Sequence, residues 1–235
     1  MKTWQQVISA ICILFFASCN LKQSNKIDPN DPQSVLSDWV IENQAEAMLA
    51  EKDDNITEII APEGLTLWYN QKLTGDYEIS YRIAMVAEDN LYDRLSDMNC
   101  FWAATDPQHP TDFFARSQWR GGIFSHYNSL DLFYVGYGGN ENTTTRFRRY
   151  YGRYYGEGDD KVKPLIKEYT DESHLLRPDK WYHIVIKVSA SETSYTINGE
   201  TLFSLPIQKG EGDGYFGLRL LTNHIQLMNF EIRQN

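Results

Sequence analysis

The stretch WYHIVIKVSASETSYTINGE, Trp181–Glu200, decides the fold. Its first eight residues put Tyr182, Ile184, Ile186 and Val188 on one parity and Trp181, His183, Val185 and Lys187 on the other. That period of two is the mark of a half-buried strand. The run Thr193–Leu202 carries Asn198-Gly199 between two strand-like halves. Asn-Gly supplies the positive-φ positions of a tight hairpin turn. Working outward, Tyr77–Met85 alternates in the same way. Phe216–Leu220 and Ile225–Ile232 read as two closing strands joined by Thr222-Asn223-His224. Only Ile41–Lys52 has some helical character. Many short strands punctuated by Gly and Asx residues predict an all-β sandwich or jelly roll.

The chain has 235 residues and a formal net charge of -10. Its first residues stand apart from the fold. Lys2 is followed by an apolar run, Val7–Phe16, and then by Ala17-Ser18-Cys19. A charged start, a short apolar region and small residues before a cleavage point read as a secretory signal. Cys19 in that register resembles the lipidated cysteine of the bacterial lipobox, with Phe16 where the ideal motif has Leu. The expected division is a signal peptide over residues 1–18, a polar tether over 19–37 and one domain over 38–235. Lipid on Cys19 would hold the protein at a membrane, about 0.8 kcal/mol per buried methylene, without a spanning helix. With Cys12 removed and Cys19 lipidated, Cys100 is alone in the domain. Its apolar setting, Met98-Asn99-Cys100-Phe101-Trp102, reads as that of a small buried hydrophobe. The acidic balance argues against nucleic acid as a partner.

The segments Trp181–Val188, Tyr195–Glu200, Gly214–Arg219 and Met228–Ile232 follow one another with the cadence of concanavalin-like jelly rolls. The resemblance implies a sandwich of two antiparallel sheets. Asp97–Pro107, Tyr127–Leu130, Tyr134–Asn140 and Asn142–Tyr150 together resemble a family of Bacteroidetes lipoproteins with such a domain, found among polysaccharide-utilisation genes. That resemblance implies an outer-membrane lipoprotein, on the periplasmic or the surface face. It also associates the chain with oligosaccharide dehydratases of ulvan breakdown, which act on a uronic acid at a non-reducing end.

The window Thr111–Tyr155 gives the chemistry its own footing. It holds Arg116, Arg120, Arg146, Arg148, Arg149 and Arg153 against Asp112, Asp131 and Glu141, with no lysine. Arginine without lysine points to planar recognition of carboxylate or sulfate. Trp119, Tyr127, Tyr134, Tyr137, Tyr150 and Tyr151 supply rings on which sugar faces stack. A salt-bridged sandwich face is the structural alternative. If Thr143–Tyr151 is a strand, Thr144, Arg146, Arg148 and Tyr150 share one face, and Thr145, Phe147, Arg149 and Tyr151 the other. Phe147 is then the core residue.

Removing the proton α to a uronate carboxylate needs that carboxylate neutralised, a base at C5 and an acid for the oxygen leaving C4. The candidates are His126 or Tyr137 as base and acid, with Arg146 as the neutralising cation. Asn99, Trp102, Arg116, Tyr127, Asn128, Tyr134, Arg148 and Tyr150 are the candidate substrate contacts. Arg116–Arg120, the His126 segment and Phe133–Tyr137 echo, in order, the Arg, His and Tyr motifs of jelly-roll alginate lyases. The first spacing is much shorter, and Trp119 replaces an aliphatic residue, so the echo serves as analogy for chemistry. A sugar leaving group would make the enzyme a lyase; a hydroxyl would make it a dehydratase. A non-catalytic glycan-binding protein is the alternative from another class. A glycoside hydrolase is less favoured, because no paired-carboxylate motif is present. No cofactor is called for: zinc-ligand spacings, Asp-rich calcium loops and phosphate loops are missing from the sequence.

Overall fold

The structure is a computed structural model that describes residues 37–52, 55–88 and 90–234. The expected signal peptide, Cys19 and all but the last residue of the expected tether lie outside those residues. Among the described residues twelve strands form the fold: β1 (Trp39–Asn43), β2 (Met48–Lys52), β3 (Ile56–Tyr69), β4 (Tyr77–Met85), β5 (Met98–Thr105), β6 (Asp131–Gly138), β7 (Thr144–Tyr150), β8 (Leu165–Tyr169), β9 (Trp181–Val188), β10 (Glu192–Ile197), β11 (Glu200–Pro206) and β12 (Tyr215–Gln234). Every strand pairing is antiparallel.

Two strands, β3 and β12, run through both layers of the sandwich. The first part of β12 lies between β3 and β5, and β1 joins the outer edge of β3. The later part of β12 lies between β3 and β4, and β2 joins that end of β3. One layer is therefore β1-β3-β12-β5-β6-β7-β8, and the other is β2-β3-β12-β4-β9-β10-β11. The register shifts between Leu221 and Asn223, where Thr222 has φ of 51°. A bulge of this kind bends a strand without ending it. The two closing strands expected from the sequence are thus one strand, and the loop expected at Thr222-Asn223-His224 is its bend. The expected helical character of Ile41–Lys52 is also overturned. Those residues fall mostly in β1 and β2, which pair with β3; cross-strand pairing outweighs a weak local preference.

The alternation in β9 and β4 was read correctly. Tyr182, Ile184, Ile186 and Val188 are buried, as are Tyr77, Ile79, Tyr81 and Ile83. Asn198 and Gly199 both have positive φ and close the β10–β11 hairpin at the Ile197–Glu200 pair. The core lies between the layers. Cys100, Trp102, Phe133, Val135, Tyr137 and Phe147 of one layer meet Ile79, Tyr81, Ile186, Tyr195 and Phe203 of the other. Trp102 stacks on Phe147 at 5.8 Å and 2°, and its indole N–H donates to Thr193 Oγ1 at 2.8 Å. Cys100 is a free, buried thiol, pushed up to about 12 by burial, which agrees with the reading of a small hydrophobe.

A second apolar cluster covers the outer face of the first layer. Trp68, Phe101, Leu132, Tyr134 and Tyr150 project from the strands, and Phe113 and Tyr127 close over them from the long β5–β6 connection. That connection contains short helical turns at Phe113–Arg116, Ser117–Arg120 and Phe124–Ser129. It covers part of the face and leaves the rest open, and the opening positions the site.

Candidate functional site

The strands of the first layer have a consistent parity. Phe133, Val135, Tyr137, Phe147, Leu218 and Leu220 point into the core. Their neighbours point to the outer face, where a cavity of about 270 Å³ is lined by Asn99, Tyr134, Gly136, Thr144, Arg146, Arg148, Tyr150 and Arg219, with Phe124 and Lys163 from connecting segments. The Thr144, Arg146, Arg148 and Tyr150 face expected from alternation is one wall of this cavity, and Phe147 is inward.

A row of polar positions crosses the face. The strand registers align Glu42, Thr66, Arg219, Asn99, Gly136, Arg146 and Glu168, one from each of seven neighbouring strands. Gly136 is the one position in the row without a side chain. A Cβ there would lie 2.3 Å from the Tyr134 hydroxyl, so glycine makes room for that ring to lie along the floor. Arg146 pairs with Glu168, and Arg148 donates to the Lys163 carbonyl at 2.6 Å. Asp97 stands at the wall, fixed by Arg94 at 2.6 Å and by the Ser96 hydroxyl at 3.1 Å. Asp159, also on the lining, is 3.3 Å from Lys163.

Arg219 was not foreseen. In the sequence it stands only at the end of a strand cadence, yet it is 2% exposed and lines the cavity. Its guanidinium lies 5.5 Å from the Phe124 ring and 5.7 Å from the Tyr127 ring. Among the described residues no carboxylate comes within ion-pairing distance of it, and Nη1 has no hydrogen-bond partner in the protein. Burial pulls its pKa below the ordinary guanidinium value. A buried charge without a partner in a cavity wall is a functional signal. Strand parity could have found it: Phe216, Leu218 and Leu220 are the inward set, which leaves Arg219 facing out.

The expected residues divide accordingly. Asn99, Tyr134, Arg146, Arg148 and Tyr150 meet in the cavity. Tyr137 and Trp102 do not: both project from the opposite face of their strands into the core. Burial also raises the Tyr137 phenol above its ordinary value. His126 stacks on Trp119 at 4.1 Å, with Nδ1 bonded to the Trp119 carbonyl, and it does not line the cavity. Arg116 forks onto Asp106 at 2.7 and 2.8 Å and is structural. Tyr127 and Asn128 sit behind the lining, each with a buried oxygen that has no partner in the protein. Burial lifts Tyr134 well above the ordinary phenol value, helped by nearby Tyr150 and Asp97, and burial lifts Tyr150 as well. Both phenols therefore stay protonated at neutral pH. Among the described residues no three His, Cys, Asp or Glu side chains gather as metal ligands.

Residues 59–230 match the family model described as a domain of unknown function, DUF6250. No curated protein matches the sequence. Among solved structures, a galectin-like protein of unknown function from Bacillus subtilis is 15% identical with a TM-score of 0.63, covering 88% of this chain and 93% of that one. The carbohydrate-binding module CBM66 from Bacillus subtilis is 11% identical with a TM-score of 0.53, covering 84% and 96%. The carbohydrate recognition domain of Emp46p, in its metal-free form, is 7% identical with a TM-score of 0.57, covering 88% and 92%. At these identities the likeness is one of fold.

Proposed function

We propose that this chain, which belongs to the DUF6250 family over most of its length, is a carbohydrate-active protein that holds an anionic sugar in the outer-face cavity and carries out β-elimination on it. The observation that carries this reading is the joining of Arg146, Arg148 and Arg219 with Tyr134 and Tyr150 in one cavity. Guanidinium groups suit a uronate carboxylate, and aromatic rings suit the apolar face of a sugar. The likeness of the fold to proteins described as carbohydrate-binding supports the substrate class.

In the proposed reaction the arginines neutralise the carboxylate, so that charge can build on it as the C5 proton leaves. Asp97 accepts that proton. The C5–H electron pair becomes the C4=C5 double bond, and the C4–O bond breaks toward the oxygen. Tyr134 gives its proton to that oxygen. When the oxygen is a free hydroxyl, water leaves and the product is a 4,5-unsaturated uronate; the resemblance to ulvan oligosaccharide dehydratases favours this outcome over chain cleavage. Incubation with uronate-terminated oligosaccharides tests it, followed by ultraviolet absorbance and product mass. Loss of one water with the chain intact is expected. Shorter unsaturated products would identify a lyase. Binding without new absorbance would identify a glycan-binding protein, the reading that the likeness to a carbohydrate-binding module favours.

The lipid anchor at Cys19 and the outer-membrane location belong to the same proposal. Radiolabelled fatty acid should enter the protein in bacterial cells, and Cys19→Ala should abolish the label. Undiminished labelling of that variant would remove Cys19 from the proposal.

A further inference from the structure

Beside the cavity, charges alternate in sign. Arg116 forks onto Asp106, Asp106 lies 3.8 Å from Arg120, and Arg120 is held by Glu42 at 2.6 Å. Glu42 lies in the same cross-strand row as Thr66 and Arg219. The sequence of signs is thus plus, minus, plus, minus and finally plus, and the last cation has no counter-ion. Four orphan polar atoms surround that gap in the pattern: Arg219 Nη1, Thr66 Oγ1, Asn99 Oδ1 and Tyr127 Oη each lack a partner in the protein. Thr66 and Asn99 are the cross-strand neighbours of Arg219 on its two sides, and the Tyr127 ring borders its guanidinium. Folded proteins leave few such atoms unpaired, and two of these, on Arg219 and Asn99, belong to the cavity wall, which points to a ligand.

We propose that Arg219 is the anchor for one carboxylate, that of a terminal uronate. The inference rests on the reading that the cavity takes an anionic sugar. A carboxylate has two oxygens, and the planar Arg219 fork on the cavity wall can donate to both. Asn99 Oδ1 is an acceptor and suits a sugar hydroxyl beside the carboxylate. The third oxygen of a sulfate would meet that acceptor unfavourably. Arg146 already has Glu168 as a counter-ion and is the more exposed cation, so it serves the rim. The neutralising role expected for Arg146 therefore passes to Arg219.

Calorimetric titration tests this with three ligands: a uronate-terminated oligosaccharide, its carboxyl-reduced counterpart and a sulfated oligosaccharide without uronate. The wild-type chain should prefer the uronate over the reduced sugar by about 30-fold or more, the usual scale for losing one partner of a buried charge pair. Arg219→Met should erase that preference, and Arg219→Lys should weaken it because the fork is lost. Arg146→Gln should lower affinity for both sugars by less than about tenfold, as rim charges do. In the absence of sugar, Arg219→Met should melt at or above the wild-type temperature, because a buried, unpaired charge has been replaced by an apolar chain. A preference that survives in Arg219→Met, or that disappears with Arg146→Gln instead, overturns the assignment. Equal binding of the sulfated sugar overturns the carboxylate class. A clear drop in the melting temperature of Arg219→Met would make Arg219 structural and overturn the idea that it is held for a ligand. A wild-type chain that binds these sugars without regard to the carboxyl defeats this inference alone. One that binds none of them defeats the cavity reading as well.

Discussion

Arg120→Ala should destabilise the fold by about 3–5 kcal/mol, the usual cost of breaking a buried ion pair from one side. Arg120 and the Glu42 carboxylate are fully buried, joined by Nε–Oε1 at 2.9 Å and Nη2–Oε1 at 2.6 Å. Arg120 Nη1 also donates to the Phe113 carbonyl at 3.1 Å, and the guanidinium lies 4.7 Å from the Phe113 ring. Removing the arginine leaves the buried Glu42 carboxylate without its partner and loosens the β5–β6 connection over the outer face. Total stability of a domain is about 5–15 kcal/mol, so this one change consumes a large part of it. Urea unfolding followed by tryptophan fluorescence measures the loss. The double variant Arg120→Met with Glu42→Leu should recover most of it, because both charges then leave together. A loss below about 1 kcal/mol for the single variant would mean that the pair is not the clamp described here.

The second large effect concerns chemistry. Under the proposed function Tyr134→Phe should lower turnover by about 10²–10⁴-fold, the usual contribution of a positioned proton donor. The hydroxyl lies over Gly136 on the cavity floor, and Tyr137→Phe, on the core side of the same strand, should leave turnover nearly unchanged. Gly136→Ala should reproduce much of the loss with all titratable groups intact, because its Cβ would sit 2.3 Å from the Tyr134 hydroxyl. The pH profile follows from sign. A donor works while protonated, and burial raises the Tyr134 phenol, so the wild-type rate should not fall on the alkaline side until above pH ~10. A Tyr134→Phe variant that keeps a tenth or more of the wild-type rate would exclude Tyr134 as the acid.

Alternation carried the sequence reading a long way and could have carried it further. It separated Phe147 from Arg146 and Arg148 and fixed the buried sets of β4 and β9. The same rule, applied to β6, divides Tyr134 from Tyr137, which differ in parity and cannot face one cavity. Applied to β5 it divides Asn99 from Trp102, and applied to β12 it turns Arg219 outward. The last follows from the expected strand Phe216–Leu220, whereas the first two require β5 and β6, whose bounds come from the structure. The rest depends on contacts distant in sequence. No periodicity marks where the short helical turns between Phe113 and Ser129 will carry His126, and the structure leaves it stacked on Trp119. The pairing of Ile41–Lys52 with β3 is likewise a tertiary fact. Thr222 gives no local sign that a strand continues through it, since non-glycine residues seldom adopt φ of 51°.

The continuity of β12 has a kinetic side. The strand at the centre of both layers follows every strand it pairs with in chain order, and its partner β3 lies far upstream, with Trp68 opposite Gly217. Neither layer can close around its central element until β12 has left the ribosome. Closure then requires a long loop to be fixed before its contacts return free energy. Such non-local pairing places refolding among slow all-β domains, milliseconds to seconds on the usual scale. The two layers are thereby kept open until β12 has been synthesised.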